Sequence, residues 1–195
     1  TAITGALTTV IACFPFVFTK LLDFVGYMGL ILIPVGAVIF AEHSRLYQIR
    51  GEVPEETYAI PFAQAKIKRA GDDVTLVAYS RMVHVALEAA DILEKKGVEA
   101  EVIDLRTLRP LDIATVLTSI QKTNRVVIVD ETWRSGGFGA QIVSDIQESV
   151  FDELDGPIGR VAGIEVPAPY NGTLEALALP DAARIVTMVE KIYGI

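Results

Sequence analysis

The sequence predicts an α/β domain, a three-layer sandwich in which helices cover both faces of a mixed, mainly parallel sheet. Two stretches carry that expectation. Residues 72–110 read as strand, helix and strand, the unit that builds parallel sheets. Residues 125–130, RVVIVD, form a short continuous apolar run of the kind that lies between two helical layers. A third observation sets the ends apart: residues 1–41 are apolar and nearly uncharged, unlike everything after them.

The strand–helix–strand unit is legible residue by residue. Val74, Leu76, Val77, Ala78 and Tyr79 make a β-rich run after a Gly-Asp-Asp turn. Ser80 stands where a helix N-cap is expected, its hydroxyl able to accept from a first-turn amide. Met82, Val83, Ala86, Leu87, Ala90 and Leu93 recur at helical spacing, with His84, Glu88, Asp91 and Lys95 on the wet face. Gly97 supplies a left-handed terminator, and Val98–Leu105 is the next strand.

Around this unit the other elements follow in order. Residues 65–68 form an edge strand guarded by Lys and Arg. Asp112 caps a helix whose stripe is Ile113, Val116, Leu117 and Ile120, ending near Asn124. After the buried strand, a glycine-rich loop over 131–139 leads into a helix from Ala140 to about Phe151. Arg160–Ile164 is a further strand, and Pro167-Ala168-Pro169-Tyr170 is an extended surface turn. Asp181 opens the last helix, with Ile185, Met188, Val189 and Ile192 inward.

Composition narrows the function. The net charge is −8, and within residues 1–41 Lys20 and Asp23 cancel, so the excess lies in residues 42–195. An acidic domain without a basic stripe argues against a nucleic-acid partner and suits a partner with a basic surface. The single cysteine, Cys13, allows no internal disulfide and fits a reducing, cytoplasmic setting. Residues 24–41 carry no charge over eighteen positions, at the lower edge of what spans a bilayer core, so membrane association through residues 1–41 is an alternative expectation.

Chemistry finds little purchase. Gly137-Phe138-Gly139 follows a strand, where amides could cradle a phosphate, but Ile142 stands where a dinucleotide fingerprint needs its third glycine. A tight turn allowing close helix–sheet packing is the plainer reading. His43 and His84 are far apart, Ser80 lacks a nucleophile elbow, and Asp130 and Glu131 point to opposite faces of a strand. No catalytic, cofactor-binding or metal-ligating residue is assigned. Trp133 and Arg134, at a loop tip, read as partner-interface anchors.

Several long stretches in order point to one family. VIFAEHSRLY (38–47), IPFAQAKIKRAGDDVTLVAYSRMV (60–83), EVIDLRTLRPLD (101–112), TNRVVIVDETWRSGGFGAQI (123–142) and VPAPYNGTLEALALP (166–180) resemble the beta subunit of the thiamine-dependent decarboxylase of 2-oxo acid dehydrogenase complexes, pyruvate-type enzymes above all. They cover its carboxy-terminal, transketolase-C-like domain, assigned to residues 60–195, with 42–59 as linker. Residues 1–41, in contrast, resemble a transmembrane stretch of nucleobase-cation symporters, too short to carry transport.

The resemblance implies an assembly and docking role within oxidative decarboxylation of a 2-oxo acid and acyl transfer to lipoyl. The full enzyme uses thiamine diphosphate and magnesium; the cofactor-activating domain is missing here, so none is expected to bind this chain alone. The implied partners are the alpha subunit, a second beta chain and the dihydrolipoyl acyltransferase core. Asp155 and Ile195 fall where the family docks that core. A membrane-tethered interaction module, or a recombined fragment without catalysis of its own, stands as the alternative.

Overall fold

A computed structural model describes residues 59–167 and 169–194. The expectations placed on residues 1–41, on the linker through 58 and on Ile195 lie outside the described residues. Five strands form one sheet in the order β1-β3-β2-β4-β5: β1 Lys66–Arg69, β2 Val74–Ala78, β3 Ala100–Asp104, β4 Val126–Trp133 and β5 Gly159–Gly163. β1 runs antiparallel at one edge, and the other pairings are parallel. The expected mixed, mainly parallel sheet is what the chain builds.

Side chains alternate along each strand, so one strand feeds two cores. Val74, Leu76 and Ala78 of β2, with Val127 and Val129 of β4, pack under α1 (Met82–Glu94) and α5 (Ala182–Tyr193). Val77, Val126 and Ile128 face the other way, against α2 (Ile113–Thr123) and α3 (Phe138–Val150). The chain leaves β2 toward β3 through α1, then returns past β2 to β4 through α2. Crossovers keep a right-handed sense, so reversing the winding direction moves the helix to the opposite face. Three layers follow from that reversal.

Most helix signals act as expected. Asp112 accepts from Thr115 N at 3.2 Å, and Asp181 accepts from Arg184 N at 2.8 Å. Asn124 closes α2 in the left-handed conformation, as Gly97 does in the turn after α1. Ser80 differs. It has a φ of 55° and is not the cap; Arg81 holds that position without a side-chain cap bond, and the Ser80 carbonyl accepts from Val83 N at 3.3 Å. Ala89 joins the buried stripe of α1, whereas Leu87 is half-buried. The stretch after the Pro-rich turn carries a short helix, α4 (Gly172–Ala178), that the sequence reading missed. Asn171 caps it, accepting from Thr173 N at 2.9 Å, and that Asn ahead of Leu174, Leu177 and Ala178 was the available signal.

Both sheet edges are guarded. Lys66 and Lys68 stand exposed on β1, and the pairing breaks register between Ile67 and Arg69. On β5, the Ala162 carbonyl accepts from Arg184 at 2.7 Å and the Arg160 carbonyl from Arg134 at 3.4 Å. Occupied carbonyls and flanking cations discourage edge-to-edge pairing with another chain.

The face toward α2 also holds a polar cluster inside the core. Thr75 of β2 meets Ser119 at 2.6 Å and Thr123 at 2.7 Å. Glu101 of β3, 2 % exposed, accepts from the Ser119 hydroxyl and from Lys122 Nζ. Lys122 also reaches Asp72 at 3.4 Å, and its pairing with Glu101 raises its pKa above the ordinary 10.5. A buried carboxylate deprived of its cation is strongly destabilising, more so than an isosteric neutral pair. Lys122→Met is expected to cost about 2–4 kcal/mol in urea denaturation, and adding Glu101→Gln should recover much of that loss.

Candidate functional site

The winding reverses at the carboxyl ends of β2 and β4, the place where open α/β sheets take their ligands. Asp130 is the last fully buried residue of β4 and lies on the α3 side of the sheet. Its carboxylate accepts from Thr132 N at 2.9 Å, Thr132 Oγ1 at 2.7 Å and Gly139 N at 3.2 Å. Arg160 of β5 lies 3.5 Å from Oδ2. An anion therefore already occupies the start of α3, and it belongs to the protein.

The glycines serve this contact. A Cβ on Gly139 would sit 2.2 Å from Asp130 Oδ2, and one on Gly137 would sit 2.3 Å from Thr132 Oγ1. Close approach, not a phosphate cradle, is what Gly137 and Gly139 permit, and it lets α3 begin at Phe138, ahead of the expected Ala140. A diphosphate brought here would meet the Asp130 carboxylate. Beside it, the Tyr79 hydroxyl is buried without a hydrogen-bond partner among the described residues, as is Arg160 Nε. Burial, reinforced by Asp130, pushes the Tyr79 pKa up to about 12, with the nearby Thr132 hydroxyl offsetting part of the rise.

Past Asp130, β4 runs three residues further than the sequence suggests, and Trp133 pairs with Gly163 after a register shift. Trp133 is 54 % exposed and Arg134 is exposed beside it. Two loops are latched there: Ser135 donates to Glu165 through its amide at 2.8 Å and its hydroxyl at 2.6 Å. Those bonds hold the Glu165 pKa below the ordinary carboxylate range. Tyr170, Leu174 and Leu177, all exposed, belong to the segment after β5, which is tied back where Ile164 N donates to the Ala178 carbonyl at 3.0 Å.

Asp155 lies at the opposite edge, just before β5 begins. Its amide donates to the Asn124 carbonyl at 2.9 Å, and its carboxylate pairs with Arg125 at 3.2 Å. Asn124 Nδ2 in turn donates to the Glu153 carbonyl at 2.7 Å. Arg125 lies 4.5 Å over the ring of Tyr193 in the last turn of α5, and Tyr193 donates to the Asp73 carbonyl at 2.8 Å. A cleft of about 450 Å³ adjoins Asp155, lined by Phe151, Asp152, Leu154 and Ile158 among others. Trp133 and Arg134 are thus gathered on one edge and Asp155 on the other. The sequence reading missed Asn124, Arg125 and Tyr193 here, because their partners come from three separate elements.

The architecture and the self-filled anion position define a doubly wound α/β domain whose exposed features are surfaces. Residues 63–185 match the model described as "Transketolase, C-terminal domain", and the chain belongs to that family. It is 46 % identical over 158 residues to the mitochondrial pyruvate dehydrogenase E1 component subunit beta-2 of rice, covering 79 % of this chain and 42 % of the relative. It is 47 % identical over 155 residues to the corresponding beta subunit of Rickettsia felis, covering 80 % and 48 %. The acetoin:2,6-dichlorophenolindophenol oxidoreductase subunit beta of Cupriavidus necator is also 47 % identical, over 154 residues, covering 79 % and 46 %. Among solved structures, a split-gene transketolase, described as an inactive beta4 tetramer, superimposes with a TM-score of 0.59 at 29 % identity, covering 73 % of this chain and 45 % of that one.

The chain spans about half the length of the curated relatives it matches. These matches bear out the beta-subunit resemblance and lend no support to the symporter resemblance of residues 1–41. Among the described residues, no helix is long and apolar enough to cross a membrane.

Gly139→Ala is expected to destabilise the domain by about 2–4 kcal/mol, because its methyl must displace Asp130. For Tyr79, unfolding lowers the pKa from about 12 toward 10, so its contribution to stability falls as pH rises between those values. Urea midpoints taken at pH 9 and pH 11 should show that loss, reduced in Tyr79→Phe.

Proposed function

We propose that this chain acts as the assembly and docking domain of a pyruvate dehydrogenase-type beta subunit in a thiamine diphosphate-dependent 2-oxo acid dehydrogenase. One observation carries the reading: identity of 46–47 % to pyruvate dehydrogenase beta subunits over some 155 residues. The whole enzyme would oxidatively decarboxylate its substrate and pass the acyl group to a lipoyl carrier. This chain would perform none of that alone. Among the described residues, Asp130 already holds the start of α3 at the carboxyl end of β4, which supports the reading that this domain does not itself take the diphosphate of the cofactor.

The two edges then divide the labour. The carboxyl edge, with Trp133 and Arg134, offers aromatic and guanidinium anchors of the kind that dominate protein contacts, and faces the alpha subunit or a second beta chain. The solved relative's description as a beta4 tetramer supports self-association of such chains, and its description as inactive supports dependence on a partner. The amino edge, with Asp155 and an acidic cleft, suits a basic segment of the dihydrolipoyl acyltransferase core. A cytoplasmic setting belongs to the same reading.

Native pull-down of the tagged chain with mass-spectrometric identification tests the proposal. Recovery of an alpha subunit and an acyltransferase core supports it, and their identities name the substrate. Recovery of neither sinks it. Asp155→Lys should weaken docking of the acyltransferase about tenfold at low salt, and unchanged docking would remove Asp155 from the surface.

A further inference from the structure

At the amino edge Arg125 touches two elements at once. One nitrogen meets Asp155 Oδ2 at 3.2 Å, while its guanidinium carbon lies 4.5 Å from the Tyr193 ring centroid. A guanidinium suits both because its rim donates hydrogen bonds while its flat face stacks; an ammonium has no flat face and meets both partners only as a point charge, with no fixed orientation. The other ends of this bridge are anchored independently. The Asp155 amide is fixed on Asn124, and the Tyr193 hydroxyl is fixed on the Asp73 carbonyl. What remains to be set is the direction of the Asp155 carboxylate, which is 54 % exposed and would otherwise sample several rotamers.

We propose that Arg125 is a positioning residue of the docking surface, holding the Asp155 carboxylate and the last turn of α5 in one geometry before the partner arrives. The inference rests on the docking reading above. Arg125 engages one carboxylate oxygen through one nitrogen, and a carboxylate accepts from about four directions, so capacity is left for a partner's cation. Side-chain ordering is then complete before binding, which preserves affinity that would otherwise be lost at encounter.

The sign of the effect distinguishes positioning from charge. If Arg125 were only a neighbouring cation, it would compete with a basic partner, and removing it would tighten docking. If it positions Asp155, removing it loosens docking. Binding of the full chain to a dihydrolipoyl acyltransferase core would be titrated for the parent, Asp155→Asn, Arg125→Gln, Arg125→Lys and Tyr193→Leu, with a thermal midpoint for each. Arg125→Gln and Tyr193→Leu are expected to weaken binding by roughly 3–10-fold, and Arg125→Lys should fail to restore it despite its charge.

Should Arg125→Gln not fold, Tyr193→Leu decides, since it removes the stack and leaves the Arg125–Asp155 pair. Docking that is weakened in Asp155→Asn but unchanged or tighter in the folded Arg125 and Tyr193 variants overturns the positioning role alone. Docking that is unchanged in Asp155→Asn overturns the docking reading, and the inference with it.

Discussion

Every strand of the parallel sheet from β2 to β5 must satisfy helices on both faces, and the period of two along each strand is the constraint on which the rest depends. Even-numbered residues of β2 supply one core and odd-numbered residues the other. The same alternation puts Asp130 on the side of α3, one residue after Val129 has packed toward α1 and α5. A slip of one residue in β4 would exchange these roles and bury a carboxylate among aliphatic side chains, at a cost of several kcal/mol. Register and the carboxyl-end geometry are therefore one requirement.

Among the described residues, buried polar groups are few and, apart from the Tyr79 hydroxyl and Arg160 Nε, paired. Thr75, Ser119, Thr123 and Glu101 form a connected set between the sheet and α2, closed at its outer end by Lys122. Asp130 and Arg160 form another at the opposite end of the strands. Each set ties a helix to a strand by directional bonds where an apolar contact would allow sliding. The two sets lie at opposite ends of the strands, so the layers are held at both.

The same polarity separates the exposed surfaces. A parallel sheet gathers all its strand-to-helix loops at one edge and all its helix-to-strand loops at the other. Trp133 ends a strand, Arg134 follows it, and Asp155 precedes the next one, so they belong to opposite edges whatever their side chains do. An assembly domain built this way can meet one partner at each end, with the packed sheet as a rigid spacer. Loops on one edge are latched by Ser135 and Glu165, and on the other by Arg125 and Asn124.

By itself the sequence determined the elements and the layers they fill. Hydrophobic periods of two and 3.6 are local, and caps such as Asp112, Asp181 and Gly97 act within one turn, so both are legible without the fold. The plain reading of Gly137 and Gly139 as a close-packing turn was available for the same reason, from the missing third glycine at Ile142. Ser80 misled because its type suits a cap, whereas the chain turns there through a left-handed residue that only the packed loop selects. The tertiary structure alone decided which charges meet. Asp130 finds Gly139 and Arg160, and Arg125 joins Asp155 to Tyr193, across separations in sequence that carry no periodic signal. Such contacts arise from the winding order of the sheet, which sets the neighbours that each strand end can reach.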